Sequence, residues 1–141
     1  MSKLQKRLKA YSIGIMGFGL LDILAGVFMM VASPFAAGLT FTIAGDPADG
    51  SDAAVILGAV GAVIGLYCIV VGVLGARVAN NPRKLGAFKW LDLLLVVTVF
   101  VEFCTGLLNG GQISWVEPAL FVLGVLAYVN AVKANEEALD R

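Results

Sequence analysis

The sequence predicts an all-α membrane protein: a four-transmembrane-helix up-down bundle with both the N- and C-termini cytoplasmic. Three observations carry that reading. Of the 141 residues, 60% are hydrophobic and 14% charged, with a mean hydropathy of +0.92; an ordinary soluble domain has about 45–50% apolar and about 25% charged residues. The apolar residues gather into four windows, each near the length of about 20 helical residues that crosses a hydrocarbon core of about 30 Å. Every Lys and Arg falls on one side of the pattern those windows define.

Composition also excludes several function classes. Ten Lys plus Arg balance ten Asp plus Glu, so the formal net charge is zero, and a chain this apolar with no net charge would not stay dissolved as a monomer. Nucleic acid is not an expected partner, because no excess of positive charge exists to displace counterions from phosphates. The expected solvent is the lipid bilayer, and four windows with short connections read as a single four-span domain over residues 1–141.

The four spans cover about residues 10–33, 53–76, 88–108 and 114–132. Basic residues near span ends are retained in the cytoplasm. Here Lys3, Lys6, Arg7 and Lys9 precede the first span, Arg77, Arg83, Lys84 and Lys89 lie around the second connection, and Lys133 and Arg141 follow the fourth span. The other two connections contain neither Lys nor Arg, and the longer one carries Asp46, Asp49 and Asp52. Both termini are therefore expected in the cytoplasm of a plasma-membrane protein. The basic start and first apolar run are expected to be retained rather than cleaved, since the run is longer than a signal core and Pro34 follows the best cleavage position.

The first span repeats small residues every seven positions, at Ser12, Gly19, Gly26 and Ser33, and places Asp22 near its middle. In the outer connection that follows, residues 39–43 alternate apolar and polar as a strand would. An irregular loop lying on the membrane surface is the favoured reading. A small β-hairpin, with residues 112–115 as the other extended piece, is the alternative. Asp46-Pro47 reads as a turn, and Asp49-Gly50-Ser51-Asp52 as the capped start of the second span.

The second span holds the most regular pattern in the chain. Gly58, Gly61, Gly65, Cys68, Gly72 and Gly75 recur at spacings of three and four. In lipid the hydrophobic effect gives helices no reason to meet, so their association depends on the close backbone approach that small residues permit. This is a helix-packing seam, used within one bundle or offered to a second copy or to a partner's helix. Asn80-Asn81-Pro82 then ends the helix.

The third span begins near Lys89 and Trp90, with Asp92 one turn inside, where it pairs with Lys89 or reaches the interface. Glu102 stands on a stripe with Thr98, Thr105, Gly106 and Asn109. Gly110-Gly111 reads as a tight reversal, and Ser114-Trp115-Val116-Glu117 as a capping box with Pro118 in the first turn of the fourth helix. Trp90 and Trp115 fall at opposite interfaces, as an aromatic belt requires. Gly124, Ala127, Ala131 and Ala134 continue the small-residue theme.

Asp22 and Glu102 are the candidate ion- or proton-binding residues. An embedded carboxylate costs about 2.5–3.5 kcal/mol at mid-membrane, so each is expected to face the bundle and have a partner. The interior holds no Lys, Arg or His to neutralise them, and Asp22 is expected to be carried as the neutral acid, donating to a facing backbone or to Tyr67. Shifting the first span by eighty residues aligns Lys9 with Lys89, Asp22 with Glu102 and Gly26 with Gly106, a faint parallel repeat.

Cys68 and Cys104 lie in spans at different depths, so no disulfide is expected. With no His at all, neither a metal site nor a cofactor is expected. No nucleophile stands with a base, and no glycine loop opens a soluble helix, so an enzyme is not expected. The chain resembles none of the familiar four-span families. It lacks the aromatic-rich interior of small multidrug-resistance transporters, whose first span also carries an acid, and the cysteine-bearing outer loops of tetraspanins and claudins. The functional expectation is a packing, accessory or interaction protein of the plasma membrane. The alternative is a small proton- or cation-coupled transporter or channel using Asp22 and Glu102.

Overall fold

The computed structural model describes residues 1–43, 46–108 and 115–140, without the side chains of 41–43, 106 and 108. The expected reversal at Gly110-Gly111, the cap at Ser114 and residues 112–114 lie outside the described residues. Four long helices, α1 (Lys3–Ala32), α2 (Gly50–Asn80), α3 (Gly86–Leu108) and α4 (Val116–Leu139), form most of the chain. Each overruns its apolar window at one or both ends, because hydropathy marks where lipid contact would end and not where backbone hydrogen bonding does. Among the described residues, the segments Lys3–Ala36, Gly50–Asn80 and Val116–Leu139 are long and apolar enough to cross a membrane. The 23-residue α3 is not among these three segments.

The helix ends follow from local chemistry. Asn81, pressed out of the helical region by the ring of the next residue, takes φ −140° and ψ 85°, and Pro82 opens a 3-10 turn over Pro82–Lys84. Likewise α1 passes into a 3-10 turn over Ser33–Ala36 with Pro34 near its start. In α2, glycines that would each cost about 1 kcal/mol in an aqueous helix are tolerable where lipid would leave any broken backbone hydrogen bond unsatisfied.

The chain divides into two compact units, residues 1–18 with 68–141, and residues 19–67. In the second of these, β1 (Thr40–Ile43) and β2 (Asp46–Asp49) form an antiparallel hairpin in which Thr40 faces Asp49 and Ile43 faces Asp46. This corrects two expectations: 39–43 is not an irregular loop, and Asp46-Pro47 is strand and not turn. Pro47 faces Thr42 in a sheet of two strands, where each strand is an edge and a missing N–H is tolerated. Asp49 fastens the hairpin to the start of α2: its Oδ1 accepts the Gly38 N–H at 3.0 Å and its Oδ2 the Ser51 N–H at 3.1 Å. The Gly50 N–H also donates to the Leu39 carbonyl at 2.7 Å. Gly38 takes φ +81°, which only glycine adopts without strain.

In the other unit the buried side chains include Leu8, Ser12 and Ile15 of α1, Cys68, Val71, Val78 and Ala79 of α2, Phe88, Asp92, Leu95 and Val99 of α3, and Leu120, Asn130 and a row of alanines on α4. Helices α3 and α4 run antiparallel in contact, with Val96 facing Gly124 and the Phe100 and Phe121 rings 5.7 Å apart. The 3-10 turn after α2 rests on α4, where Asn135 Nδ2 donates to the Pro82 carbonyl at 2.7 Å and Arg83 Nη2 to that of Ala138 at 3.5 Å.

Candidate functional site: the glycine seam and the embedded acids

The seam residues divide between the two units. In the 19–67 unit, α1 and α2 pack antiparallel through Gly19 and Gly26 on one helix and Gly58 and Gly65 on the other. A Cβ on Gly65 would lie 2.5 Å from the Gly19 carbonyl oxygen and 2.9 Å from Ile23 N. A Cβ on Gly58 would lie 2.5 Å from the Gly26 carbonyl oxygen, and one on Gly26 would meet the Gly58 carbonyl and stand 2.9 Å from Ala62 N. Backbone meets backbone at both levels, so nothing can yield. Gly61 differs: its nearest neighbours, the Asp22 carbonyl oxygen at 3.9 Å and Gly26 Cα at 4.0 Å, leave ordinary contact distance.

In the 1–18 and 68–141 unit, Gly72 presses on Ser12 and Met16 of α1, and its Cβ would lie 2.7 Å from the Ser12 carbonyl oxygen. Gly75 lies against Ser12 and Phe88, with 2.8 Å from its Cβ position to Phe88 Cε2. Cys68, the one non-glycine of the seam, is fully buried, Cys104 is half-buried, and the two are not joined in a disulfide. Ser12 is fully buried and turns its hydroxyl back to donate to the Leu8 carbonyl at 2.8 Å, a partner inside its own helix.

The candidate acids are placed apart in kind. Asp22 is half-buried in the 19–67 unit, on the side of α1 that carries Gly19 and Gly26. Among the described residues, no hydrogen bond to its carboxyl is found. Glu102 belongs to the other unit and is exposed, next to an exposed Thr105 whose Oγ1 donates to the Glu102 backbone carbonyl at 2.9 Å. It does not face a packed interior as expected; Val99 is the last buried residue of α3 among those described.

Asp92 is the functional candidate that sequence reasoning set aside. It is 0% exposed, and neither carboxylate oxygen has a hydrogen-bond partner among the described residues. The expected pairing with Lys89, or reach to the interface, is not what the structure holds. The signal was available: Phe88, Asp92, Leu95 and Val99 fall at steps of four, three and four, one helical face, and that face is the one α3 buries. Glu117 stands in the first turn of α4 as expected, but Trp115 occupies the N-cap position and makes no side-chain cap bond. Trp90 and Trp115 are both exposed.

At one end of the same unit, a cavity of about 250 Å³ is lined by polar groups that include Ser2, Gln5, Asn80, Asn81 and Glu137. Its lining contains no second carboxylate and no His or Cys, so it offers no acid pair and no soft metal ligand. Compared with known proteins, the chain matches no family model, no curated protein and no solved structure.

Proposed function

We propose that this chain is a small multi-pass integral protein of the plasma membrane, crossing it four times with both termini cytoplasmic, and that its role is a packing or accessory one. The observation that carries the reading is the outer surface of the helices. Leu20, Leu24, Phe28 and Val31 of α1 and Val60, Val63, Leu66 and Val70 of α2 are exposed large apolar side chains. Runs of that kind exceed what a soluble monomer exposes and suit lipid.

The small residues support self-packing. Gly58 and Gly65 meet Gly26 and Gly19 of the same chain, and Gly72 and Gly75 meet Ser12, so these positions are already occupied and a partner's helix would have to displace α1. The partner in this reading is the bilayer, which the exposed leucines and valines of α3 and α4 would also face, with α3 as the remaining span. The distribution of Lys and Arg supports the orientation.

The test is fractionation of the expressed full-length chain. It is expected to stay in the membrane pellet through an alkaline carbonate wash and to be released only by detergent, as a monomer. Release by carbonate alone would refute an integral protein. A detergent-stable dimer that Gly65→Leu converts into a folded monomer would refute use of the seam within the chain.

A further inference from the structure

We propose that Asp92 is a proton-binding site, whose bound proton holds α3 against α4. The observation is geometric. The side chain is 0% exposed, and both oxygens lack a donor among the described residues. The facing helix offers Gly124, whose Cβ position is 3.8 Å from Oδ1, beside Val96 Cγ2 at 2.7 Å. The nearest surface is therefore backbone and hydrocarbon.

An ionised carboxylate there would be an uncompensated buried charge, which interiors do not hold without a partner. The groups that could supply compensation are accounted for. On α4 the buried face is Leu120, Gly124, Ala127, Asn130, Ala131 and Ala134, with no ionisable side chain. Asn130 has its Nδ2 committed to the Leu126 carbonyl at 2.7 Å. On α1 and α2 the buried residues of this unit include a single ionisable group, the Cys68 thiol. Lys89, one turn earlier on α3, is half-buried and donates no hydrogen bond to either Asp92 oxygen.

A metal cation is a poorer occupant than a proton. Hard cations take six or more oxygen ligands, and among the described residues no group of three His, Cys, Asp or Glu is gathered that could hold one. A proton needs only the carboxylate: one O–H bond forms on Oδ1 or Oδ2, the charge is removed, and no further ligand is required. Because the neutral form suits the closed α3–α4 contact and the charged form demands solvation, proton binding and helix contact are linked. Loss of the proton should part the helices around Gly124.

The test uses the full chain carrying Asp22→Asn, reconstituted in lipid vesicles, with aspartate labelled at the side-chain carboxyl carbon. The other labelled positions, Asp46, Asp49, Asp52 and Asp140, are all exposed. Solid-state NMR at neutral pH is expected to show one carboxyl resonance in the protonated position, and alkaline titration should convert it together with a loss of α3–α4 cross-peaks. All carboxyl resonances ionised at neutral pH would overturn the proposal. So would a resonance that shifts when sodium is replaced by choline, since that would identify a metal cation as the occupant. Substituting Asp92→Asn should remove the protonated resonance and make the α3–α4 cross-peaks independent of pH; a protonated resonance that persists would assign it elsewhere and also overturn the proposal.

Discussion

Gly26 and Gly58 meet backbone to backbone, with the Cβ position of Gly58 2.5 Å from the Gly26 carbonyl oxygen and 2.9 Å from Met30 Cγ. Seven residues away on each helix, Gly19 and Gly65 repeat the arrangement, with Gly65's Cβ position 2.5 Å from the Gly19 carbonyl. A heptad step returns to the same face of a helix, so the two meetings belong to one contact line. Lipid supplies no hydrophobic drive for that contact, and dispersion between closely set backbones takes its place.

Gly58→Ala and Gly65→Ala should each destabilise the chain by about 1–3 kcal/mol, the usual range for overpacking. Gly61→Ala should leave it unchanged, or stabilise it by up to about 1 kcal/mol through helix propensity, because its nearest neighbours are 3.9 Å and 4.0 Å away. Unfolding in mixed micelles by SDS titration would rank the three. Equal losses at all three positions would remove the case for contact along one line.

Asp49→Ala should loosen the hairpin and the first turn of α2 together, since one carboxylate accepts from both Gly38 and Ser51. A loss of about 1 kcal/mol is expected for such a cap. Hydrogen exchange at the Gly38 and Ser51 amides should accelerate, whereas Asp46→Ala should spare both. Acceleration at only one of the two amides would show that the clip is not shared.

Asn135→Ala should release the turn over Pro82–Lys84 from α4, where Asn135 holds the Pro82 carbonyl at 2.7 Å. The expected cost is about 1 kcal/mol for one hydrogen bond. Limited proteolysis at Arg83 and Lys84 should quicken, without change at Lys3 or Lys6. Unchanged cleavage would mean that Arg83 and its contact with Ala138 hold the turn alone.

Much of the fold was legible because its signals are periodic. Glycine spacing in α2 pointed to a close helix contact, and Asn80-Asn81-Pro82 marked where α2 stops. The hairpin was only half legible: residues 39–43 alternate visibly, but their partner Asp46–Asp49 carries a proline and two acids and reads as turn. Its pairing is a tertiary fact, permitted because both strands are edges. Asp92 was misread for a different reason. Its depth was plain, but local charge suggested Lys89 as a partner, while burial was decided by the i, i+4, i+7 face shared with Phe88, Leu95 and Val99. Glu102 failed in the opposite sense, since its stripe was apparent but not that the stripe is exposed at Glu102 and Thr105.

In the proposed topology the chain crosses the membrane four times and leaves the hairpin on the side opposite its termini. Single cysteines at Ser2, Arg83, Asp140 and Asp46, placed one at a time in a Cys68→Ala, Cys104→Ser background, can be tested with a membrane-impermeant maleimide on intact cells and on inverted vesicles. Ser2→Cys, Arg83→Cys and Asp140→Cys should react only in inverted vesicles, and Asp46→Cys only on intact cells. Reaction of Asp140→Cys on intact cells, with Arg83→Cys still cytoplasmic, would mean that α3 and α4 do not both cross and would contradict the four-span account.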